Sequence, residues 1–314
     1  MNPLDYRWGH AINSRALLRR VHQEVQRATT QPIALHDFVN AIEADIIWSE
    51  AEQRPVMGHP PATTGDLTLA AFLQTMLDVA NMLQHVPVSS DPPLIVKCDF
   101  KSPQAFEASL DLLAAFLAAY PFTRSVFLNA DIVPGPETPL VDGAAFDGAV
   151  FLQQVDGLGA RDGGQHRHKL VLSVGWTTVH SQDLDVDRGY SIDMVDAMLQ
   201  LLQPYRDTTN KCGVTFPLRA TSVRRSWPAV RQLLEHPRYG LTLWWAPTQL
   251  PDEELEWLYT TLERERHVEG PPADGKSYAG RTFYDIKGFR SFLARQKGRF
   301  AASIAPHCTS TTLQ

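Results

Sequence analysis

The chain has 314 residues, of which 44% are hydrophobic and 20% are charged, with a formal net charge of −6. These values are typical of a globular chain with a substantial core and exclude an intrinsically disordered one. The acidic balance argues against a broad basic surface for non-specific binding of nucleic acid.

Cysteine content and hydropathy bear on the compartment. Cys98, Cys212 and Cys308 are too few and too widely spaced to predict a disulfide framework or a zinc finger. The N-terminal residues lack the basic and apolar regions of a signal peptide, and no apolar run approaches the roughly 18 residues that span a bilayer. We therefore predict a cytoplasmic protein without a transmembrane segment.

Short apolar runs alternate with amphipathic stretches along the whole chain. The runs predict eight strands, at residues 6–10, 41–48, 94–100, 125–131, 169–176, 213–219, 241–245 and 281–286, with a hairpin return at 56–59. Helices are predicted at 14–27, 66–83, 103–119, 191–202, 227–234, 252–265 and 288–296, with Asp66 as the N-cap of the second. Residues 161–168 and 268–277 are predicted to be exposed loops.

Eight strands that alternate with helices predict an α/β protein with one (β/α)₈, or TIM, barrel. The predicted domain covers residues 1–303, and residues 304–314 are expected to be a disordered tail. An open doubly wound sheet is the alternative, but no Gly-x-Gly-x-x-Gly loop follows the first strand.

Two acids on the second predicted strand are separated by one residue. Glu43 and Asp45 therefore point to the same side of the strand. Like charges on a buried face repel each other unless a positive group lies between them. That group could be Mg²⁺ or Ca²⁺, or one acid could pair with Lys or Arg while the other contacts water. His59 follows closely and could act as an acid or a base.

The catalytic groups of TIM barrels lie at the carboxyl ends of the strands. Unusual polar and aromatic residues fall at these predicted ends: His10, Glu43, Asp45, His59, Lys97, Asp99, Lys101, Asn129, Asp131, Trp176, Arg219, Trp245 and Tyr284. Several have structural alternatives. Asp131 precedes a Pro-Gly-Pro turn and suits an Asx turn, Arg219 could pair with it, and Trp176 and Trp245 could simply close the barrel mouth.

The residues at these ends have a consistent chemistry. Glu43, Asp45 and Asp99 could hold one hard cation, with water or substrate oxygens completing its shell. His10 and His59, on different strands, could act as general acid and general base at a phosphorus atom.

Basic and aromatic residues complete the predicted site. Lys101 and Arg219 could share the charge of a phosphate group. Trp176, Trp245 and Tyr284 could hold an apolar or ring-shaped part of the substrate. There is no Gly-x-Ser-x-Gly elbow and no His-Glu-x-x-His helix, so a metal-assisted phosphodiester reaction fits better than acyl transfer.

Several sequence blocks carry a family resemblance. They are His10-Ala-Ile-Asn-Ser, Ala41-Ile-Glu-Ala-Asp-Ile, Pro55-Val-Met-Gly-His-Pro-Pro, Asp99-Phe-Lys, Leu128-Asn-Ala-Asp-Ile with Pro134-Gly-Pro, Leu172-Ser-Val-Gly-Trp-Thr-Thr, Thr215-Phe-Pro-Leu-Arg-Ala and Leu241-Thr-Leu-Trp. With these blocks, from about residue 6 to 290, the chain resembles the menorin-like family. More distantly it is similar to the PLC-like phosphodiesterases, which include glycerophosphodiester phosphodiesterases and phosphatidylinositol phospholipases C.

The resemblance implies a TIM-barrel enzyme with one divalent cation, Mg²⁺ or Ca²⁺. It implies that His10 and His59 are the catalytic pair. It also implies that Glu43 and Asp45 are metal ligands, and that Asp99 replaces the metal-binding Glu of the third strand.

The remaining site residues follow from the same comparison. Lys101 matches the Lys of the Glu-x-Lys element, and Asn13 is a candidate phosphate or ligand contact. Asn129 is a predicted substrate contact at the end of the fourth strand. His59 is followed by Pro60 at a position where the distant relatives have Asp.

The resemblance also restricts the substrate to phosphodiesters with a vicinal hydroxyl and to cyclic phosphates. Glycerophosphodiesters, phosphoinositides, and RNA ends or 2′,3′-cyclic phosphates meet this requirement. The alternative is a catalytically weak or inactive barrel that acts as a protein-interaction module.

Overall fold

Parallel strands form the scaffold of the molecule. The computed structural model describes residues 2–30, 38–84, 93–136, 146–178, 189–263 and 278–304. Eight strands are hydrogen-bonded in chain order: β1 (Trp8–Gly9), β2 (Ala41–Ser49), β4 (Ile95–Phe100), β5 (Val126–Val133), β6 (Leu170–Trp176), β7 (Val214–Arg219), β8 (Tyr239–Trp245) and β9 (Thr282–Ile286). A further strand, β3 (Arg54–Met57), returns antiparallel to β2. The predicted (β/α)₈ barrel is confirmed.

Helices surround the strands. They are α1 (Arg15–Thr30), α2 (Leu69–Leu83), α3 (Pro103–Glu107), α4 (Leu110–Ala119), α5 (Gly148–Gly164), α6 (Ile192–Leu202), α7 (Arg206–Cys212), α8 (Ala220–Val223), α9 (Trp227–Val230), α10 (Asp252–Leu262) and α11 (Phe289–Ile304). In the described ranges none of them is long and apolar enough to cross a membrane. The predicted tail is 304–314, of which Ile304 still belongs to α11. The predicted loop at 268–277 and the rest of that tail lie outside the described residues.

Two local predictions differ from the structure. Thr68, not Asp66, is the N-cap of α2, because its extended backbone lets its side chain accept a hydrogen bond from Ala71 N. Asp66 instead accepts a hydrogen bond from Arg15 N at the start of α1, at 3.1 Å. Helix α5 was not predicted. Its last residues overlap the predicted loop at 161–168, and its backbone leaves helical geometry at Arg161–Gly163.

The barrel interior changes from apolar to polar along the strands. An apolar layer fills its amino-terminal half, made of Tyr6, Ala41, Ile95, Phe127, Val171 and Phe283, with Trp8 packed against it. Because side chains of one face recur every second residue, the next inward positions on four neighbouring strands are Glu43, Lys97, Asn129 and Ser173. The polar residues thus lie above an apolar floor.

The seam between the last and first strands is closed by side chains. β1 has only two residues and pairs with β2. Across the seam, Phe283 of β9 packs against the rings of Tyr6 and Trp8, with ring centroids 5.9 Å and 6.2 Å apart. Such aromatic contacts supply the burial that a longer first strand would otherwise provide.

The wall of the barrel opens between β6 and β7. Their paired residues end at Ser173 and Thr215, and Pro217 beyond them has no N–H to continue the ladder. At Gly175 an added Cβ would lie 2.6 Å from Asp131 Oδ1 and 2.9 Å from Pro217 Cγ. A glycine is therefore required where the cavity approaches β6.

Candidate active site

Three buried carboxylates meet at the carboxyl ends of β2 and β4. Glu43 and Asp45 lie in register with Lys97 and Asp99 of the neighbouring strand. One carboxylate oxygen from each of Glu43, Asp45 and Asp99 lies within 4.8 Å of the other two, so the three could hold one metal ion. The predicted triad is brought together by β-sheet register, which places two acids of one strand beside a third on the next.

Neutral donors fix one oxygen of each carboxylate. Ala11 N donates to Glu43 Oε2 at 2.6 Å. Asn13 Nδ2 donates to Asp45 Oδ2 at 2.7 Å, and its own Oδ1 accepts from Asp45 N at 2.8 Å. Asn13 thus positions a triad member directly, a role that residue spacing did not predict.

The third carboxylate is held from the neighbouring strand. Asn129 Nδ2 donates to Asp99 Oδ1 at 2.7 Å, while Ser173 Oγ donates to Asn129 Oδ1 at 2.6 Å. Outer hydrogen bonds of this kind orient the ligands of protein metal sites. Among the described residues, no neutral donor holds the second oxygen of these three carboxylates.

Lys101 provides a cation at this position. Its Nζ lies 2.9 Å from Asp45 Oδ1 and 2.8 Å from Asp99 Oδ2. The alternative in which a lysine neutralises the acids is therefore observed in part. The oxygen-only donor set and its neutral supports also fit a hard divalent cation such as Mg²⁺ or Ca²⁺, which would compete with Lys101 for the same two oxygens.

The pKa values reflect this crowding. Burial, and then repulsion by Asp45, raise the pKa of Glu43 to about 7. Burial also acts to raise the pKa of Asp99, but Lys101 and Lys97 outweigh it and hold that pKa below its ordinary value. Although burial acts to lower it, the carboxylates hold the pKa of Lys101 well above its ordinary value. The ammonium and the acids stabilise one another in the absence of a metal.

Replacing Lys101 by Met should strengthen divalent-cation binding by about 10-fold, because an ammonium bound to two of the ligand oxygens would be removed. Titration calorimetry with Mg²⁺ and Ca²⁺ measures the change. The matched control is Lys287→Met, which removes an exposed lysine just after β9. Weaker cation binding in the Lys101 variant would contradict competition between the ammonium and the ion.

His10 follows β1 and contacts two acids. Its Nδ1 lies 2.6 Å from Asp285 Oδ2 and 3.6 Å from Glu43 Oε2. Burial acts to lower the pKa of His10, but Glu43 and the hydrogen bond to Asp285 raise it to about 9. Sequence reasoning missed Asp285, although a charged residue two positions after Phe283 on β9 indicates an inward position.

His59 lies on the connection that follows β3, exposed at the rim of the cavity. Its Nδ1 is 2.7 Å from the carbonyl oxygen of Pro60. A carbonyl only accepts hydrogen bonds, so Nδ1 carries the hydrogen in this contact. Pro60, at the position where the resemblance implies Asp, thus contributes a backbone oxygen that orients the imidazole.

The site opens into a cavity of about 320 Å³. Its lining residues are His10, Glu43, Asp45, His59, Pro60, Lys97, Asp99, Lys101, Asn129, Asp131, Trp176, Thr178, Pro217 and Trp244. The ionic groups come from the side of β2, β4 and β5, and the apolar groups from β6, β7 and β8. A ligand with a charged group beside an apolar or planar group matches this division.

Strand parity decides which aromatic residues reach the cavity. Trp176 lines it, as predicted for a substrate contact. Trp245 instead points away, fully buried, with Nε1 donating to Thr248 Oγ1, and Trp244 takes the inward position. Arg219 is not a lining residue, since its guanidinium lies over the rings of Trp244 and Trp245 at 5.9 Å and 5.2 Å. These placements correct the predicted contacts of Trp245 and Arg219.

Tyr284 also lies outside the cavity, which corrects the prediction for β9. Its ring stacks on Phe289 of α11 with centroids 4.0 Å apart, and its hydroxyl donates to Glu263 Oε1 at 2.7 Å. The inward residue at this level is its neighbour, Asp285. A one-residue error in choosing the inward face transfers every assignment to the opposite side of a strand.

Glu263 makes stability depend on pH. Burial raises its pKa to about 7, although hydrogen bonds from Gly280 N and Tyr284 favour the charged form. A carboxyl with a higher pKa in the folded state stabilises the fold at low pH, and this contribution is lost as the pH rises from about 4.5 to about 7. Urea denaturation measures the free energy of unfolding at each pH. Across this interval the free energy of unfolding should fall by about 1–2 kcal/mol less in Glu263→Gln than in the wild type. An unchanged pH slope would contradict the assignment.

Asp131 and Lys97 also line the cavity. Burial, and then repulsion by Asp99, raise the pKa of Asp131 to about 7. In the described part of the chain Asp131 forms neither the Asx turn nor the ion pair with Arg219 that its position suggested. The sequence places Lys97 at the predicted end of the third strand but assigns it no role.

The fold and the site together define a (β/α)₈-barrel protein with a carboxylate cluster at the carboxyl end of its strands, able to hold a metal ion. The chain belongs to the Menorin N-terminal domain family, whose model matches residues 2–266. It is 30% identical over 247 residues to Protein FAM151B of Homo sapiens, a match that covers 76% of this chain and 71% of that protein. The predicted menorin-like relationship is confirmed.

Two solved structures are similar to the chain at low sequence identity. Two crystal structures of catalytic site mutants of active domain 2 of chitinase from Pyrococcus furiosus, one of them complexed with chito-oligosaccharides, align with TM-scores of 0.44 and 0.43. Each is 10% identical, and each alignment covers 94% of this chain and 96% of the other. Likenesses at this level carry no argument about the chemistry of the site.

Proposed function

We propose that the protein is a phosphodiesterase that depends on one divalent cation, Mg²⁺ or Ca²⁺. The observation that carries the proposal is the carboxylate triad, in which neutral donors fix one oxygen of each acid and one oxygen of each acid lies within 4.8 Å of the other two. A bound cation would supply Lewis-acid stabilisation of charge on phosphoryl oxygens.

The protein's own residues supply proton transfer and orientation. His10 and His59 both line the cavity and act as the acid–base pair. Asp285 orients His10 through Nδ1, and the Pro60 carbonyl orients His59 in the same way. Because both of these contacts use Nδ1, we assign Nε2 of each ring to the reacting hydroxyl or leaving oxygen.

The cavity walls support a substrate with a phosphodiester next to an apolar or planar group. Trp176 and Trp244 form the wall opposite the carboxylates, with Pro217 beside them. The substrates that fit are phosphodiesters with a vicinal hydroxyl, or cyclic phosphates, as in glycerophosphodiesters, phosphoinositides and RNA ends. A nucleotide base or an inositol ring would pack on the tryptophans.

A second candidate function is a non-catalytic barrel that binds a protein partner. Lys101 favours this alternative, because its ammonium already neutralises Asp45 and Asp99 without a metal. In that case the acidic cluster would stabilise the fold, and the partner surface would lie away from the barrel mouth.

One experiment separates these functions. The purified protein is incubated with glycerophosphocholine, phosphatidylinositol vesicles and 2′,3′-cyclic nucleotides, with Mg²⁺ or Ca²⁺ and then with EDTA, and ³¹P NMR records the products. Cation-dependent conversion of one substrate is expected. Absence of conversion across the panel, together with absence of calorimetric cation binding, would favour the interaction module.

A further inference from the structure

Lys97 is a buried lysine on the inner face of β4. Only 5% of its surface is exposed, and it lines the cavity that contains the carboxylate triad. Within the described ranges its ammonium makes no hydrogen bond to a side chain or carbonyl and no ion pair within 4.0 Å. The charge of Lys97 is balanced at longer range by Asp99, Glu43 and Asp131, but none of these carboxylates holds the ammonium by direct contact, so it remains directed to the cavity.

Lys97 and Lys101 differ in the contacts of their ammonium groups. Both lysines project from the same side of one strand segment, two positions on either side of Asp99. The Lys101 ammonium is bound by Asp45 and Asp99, whereas that of Lys97 keeps its hydrogen-bonding capacity. The two lysines therefore have different availability for a ligand although each lies two residues from Asp99.

The charges around Lys97 favour an anion once the triad is neutralised. Four carboxylates line the cavity: Glu43, Asp45, Asp99 and Asp131. A divalent cation on the triad together with Lys97 and Lys101 would balance them, and a protonated His10 would balance Asp285, which lies 2.6 Å from its Nδ1. An anionic group entering the cavity would then meet no net repulsion, and the Lys97 ammonium is available to contact it.

We propose that Lys97 binds an oxygen of the substrate's phosphate group and thereby selects phosphoanionic ligands, while Lys101 serves mainly to neutralise Asp45 and Asp99 in the absence of the metal. The proposal rests on the proposed function in taking the ligand to be a phosphate ester. It goes further by separating the roles of the two lysines and by naming the group that recognises the anion.

The test uses inorganic phosphate as the probe and the whole chain in saturating Mg²⁺. Titration calorimetry is performed on the wild type, Lys97→Met and Lys97→Gln. Each substitution should weaken phosphate binding by at least about 10-fold, the loss expected for one hydrogen bond to a charged group. Gln keeps a polar group near the carboxylates, so the Lys97→Gln variant can still be measured if the Met variant does not fold.

Two controls separate anion binding from a structural role. Lys211→Met removes an exposed lysine that pairs with Asp207 on α7, and it should leave phosphate binding unchanged. Mg²⁺ affinity is measured in every variant. A folded Lys97 variant that binds Mg²⁺ as the wild type does and has lost phosphate supports direct anion binding.

The outcomes distinguish this inference from the proposed function. Phosphate binding that depends on Lys97, without turnover of any phosphodiester, would support the anion site while refuting the enzymatic function. If the wild type turns over a phosphodiester and the folded Lys97 variants bind phosphate with an affinity within about threefold of the wild type, only the role of Lys97 is refuted. Failure of the wild type to bind phosphate at millimolar concentration would also refute the anion site.

Discussion

Replacing Asp99 by Asn is expected to weaken divalent-cation binding by about 100-fold or more and to abolish cation-dependent turnover. The acid provides a charged oxygen on the side facing Asp45, while Asn129 holds its other oxygen. An asparagine that keeps its carbonyl toward the Asn129 amide must turn its own NH₂ toward the ion. The substitution thus removes a charge and also presents donors where a cation needs an acceptor.

Calorimetry with Mg²⁺ and Ca²⁺ measures the loss of binding, and ³¹P NMR measures the loss of turnover. The matched control is Asp111→Asn, which neutralises an acid on α4 that is exposed and paired with Arg161. It should change neither property. If the Asp99 variant bound the cation as tightly as the wild type, the triad would not be the metal site, and the pairing of Lys101 with the two acids would be its structural explanation.

Replacing His59 by Ala should leave the fold and cation affinity intact and should reduce turnover by about 10²- to 10⁴-fold, the usual contribution of a general acid or base. His59 is exposed at the rim, so its loss opens no cavity in the core. Its imidazole is oriented by a backbone carbonyl, which remains in place in the variant. The loss should therefore appear in turnover, with little change in the melting temperature.

The corresponding control is His22→Ala on α1, a helix on the outside of the barrel. Comparable turnover in wild type and the His22 variant, with a large decrease in the His59 variant, supports a catalytic role. Retained turnover in the His59 variant would leave His10 and Asp285 as the proton-transfer pair and would remove His59 from the mechanism.

Prediction from the sequence succeeded where a residue's neighbours along the chain decide its place. Apolar runs separated by amphipathic stretches indicated the strands, and the spacing of Glu43 and Asp45 put both acids on one side of β2. The carboxyl-end rule then indicated that Asp99 would meet them. These inferences need only the period of a strand and the direction of a parallel sheet.

Assignments failed where the choice of face depended on tertiary packing. Trp244 and Trp245 are adjacent residues of the same type, so the sequence does not indicate which one points inward. Only the pleat of β8 in the closed barrel decides which one reaches the cavity. The same applies to Tyr284 and Asp285 on β9. A strand whose two faces are both buried lacks the polar and apolar alternation that would reveal its orientation.

The sequence by itself determined the barrel, its acidic cluster and the histidines at its mouth, because local periodicity and strand direction can be inferred from residues that are close together in the chain. Only the tertiary structure decided the partners: Asn13 and Asn129 as supports, Lys101 between two carboxylates and Asp285 behind His10. Those contacts join residues from different strands, so they depend on register and seam closure. Lys97 shows the difference most clearly, since its position was evident in the sequence, whereas the absence of a direct ion pair to any described residue was not.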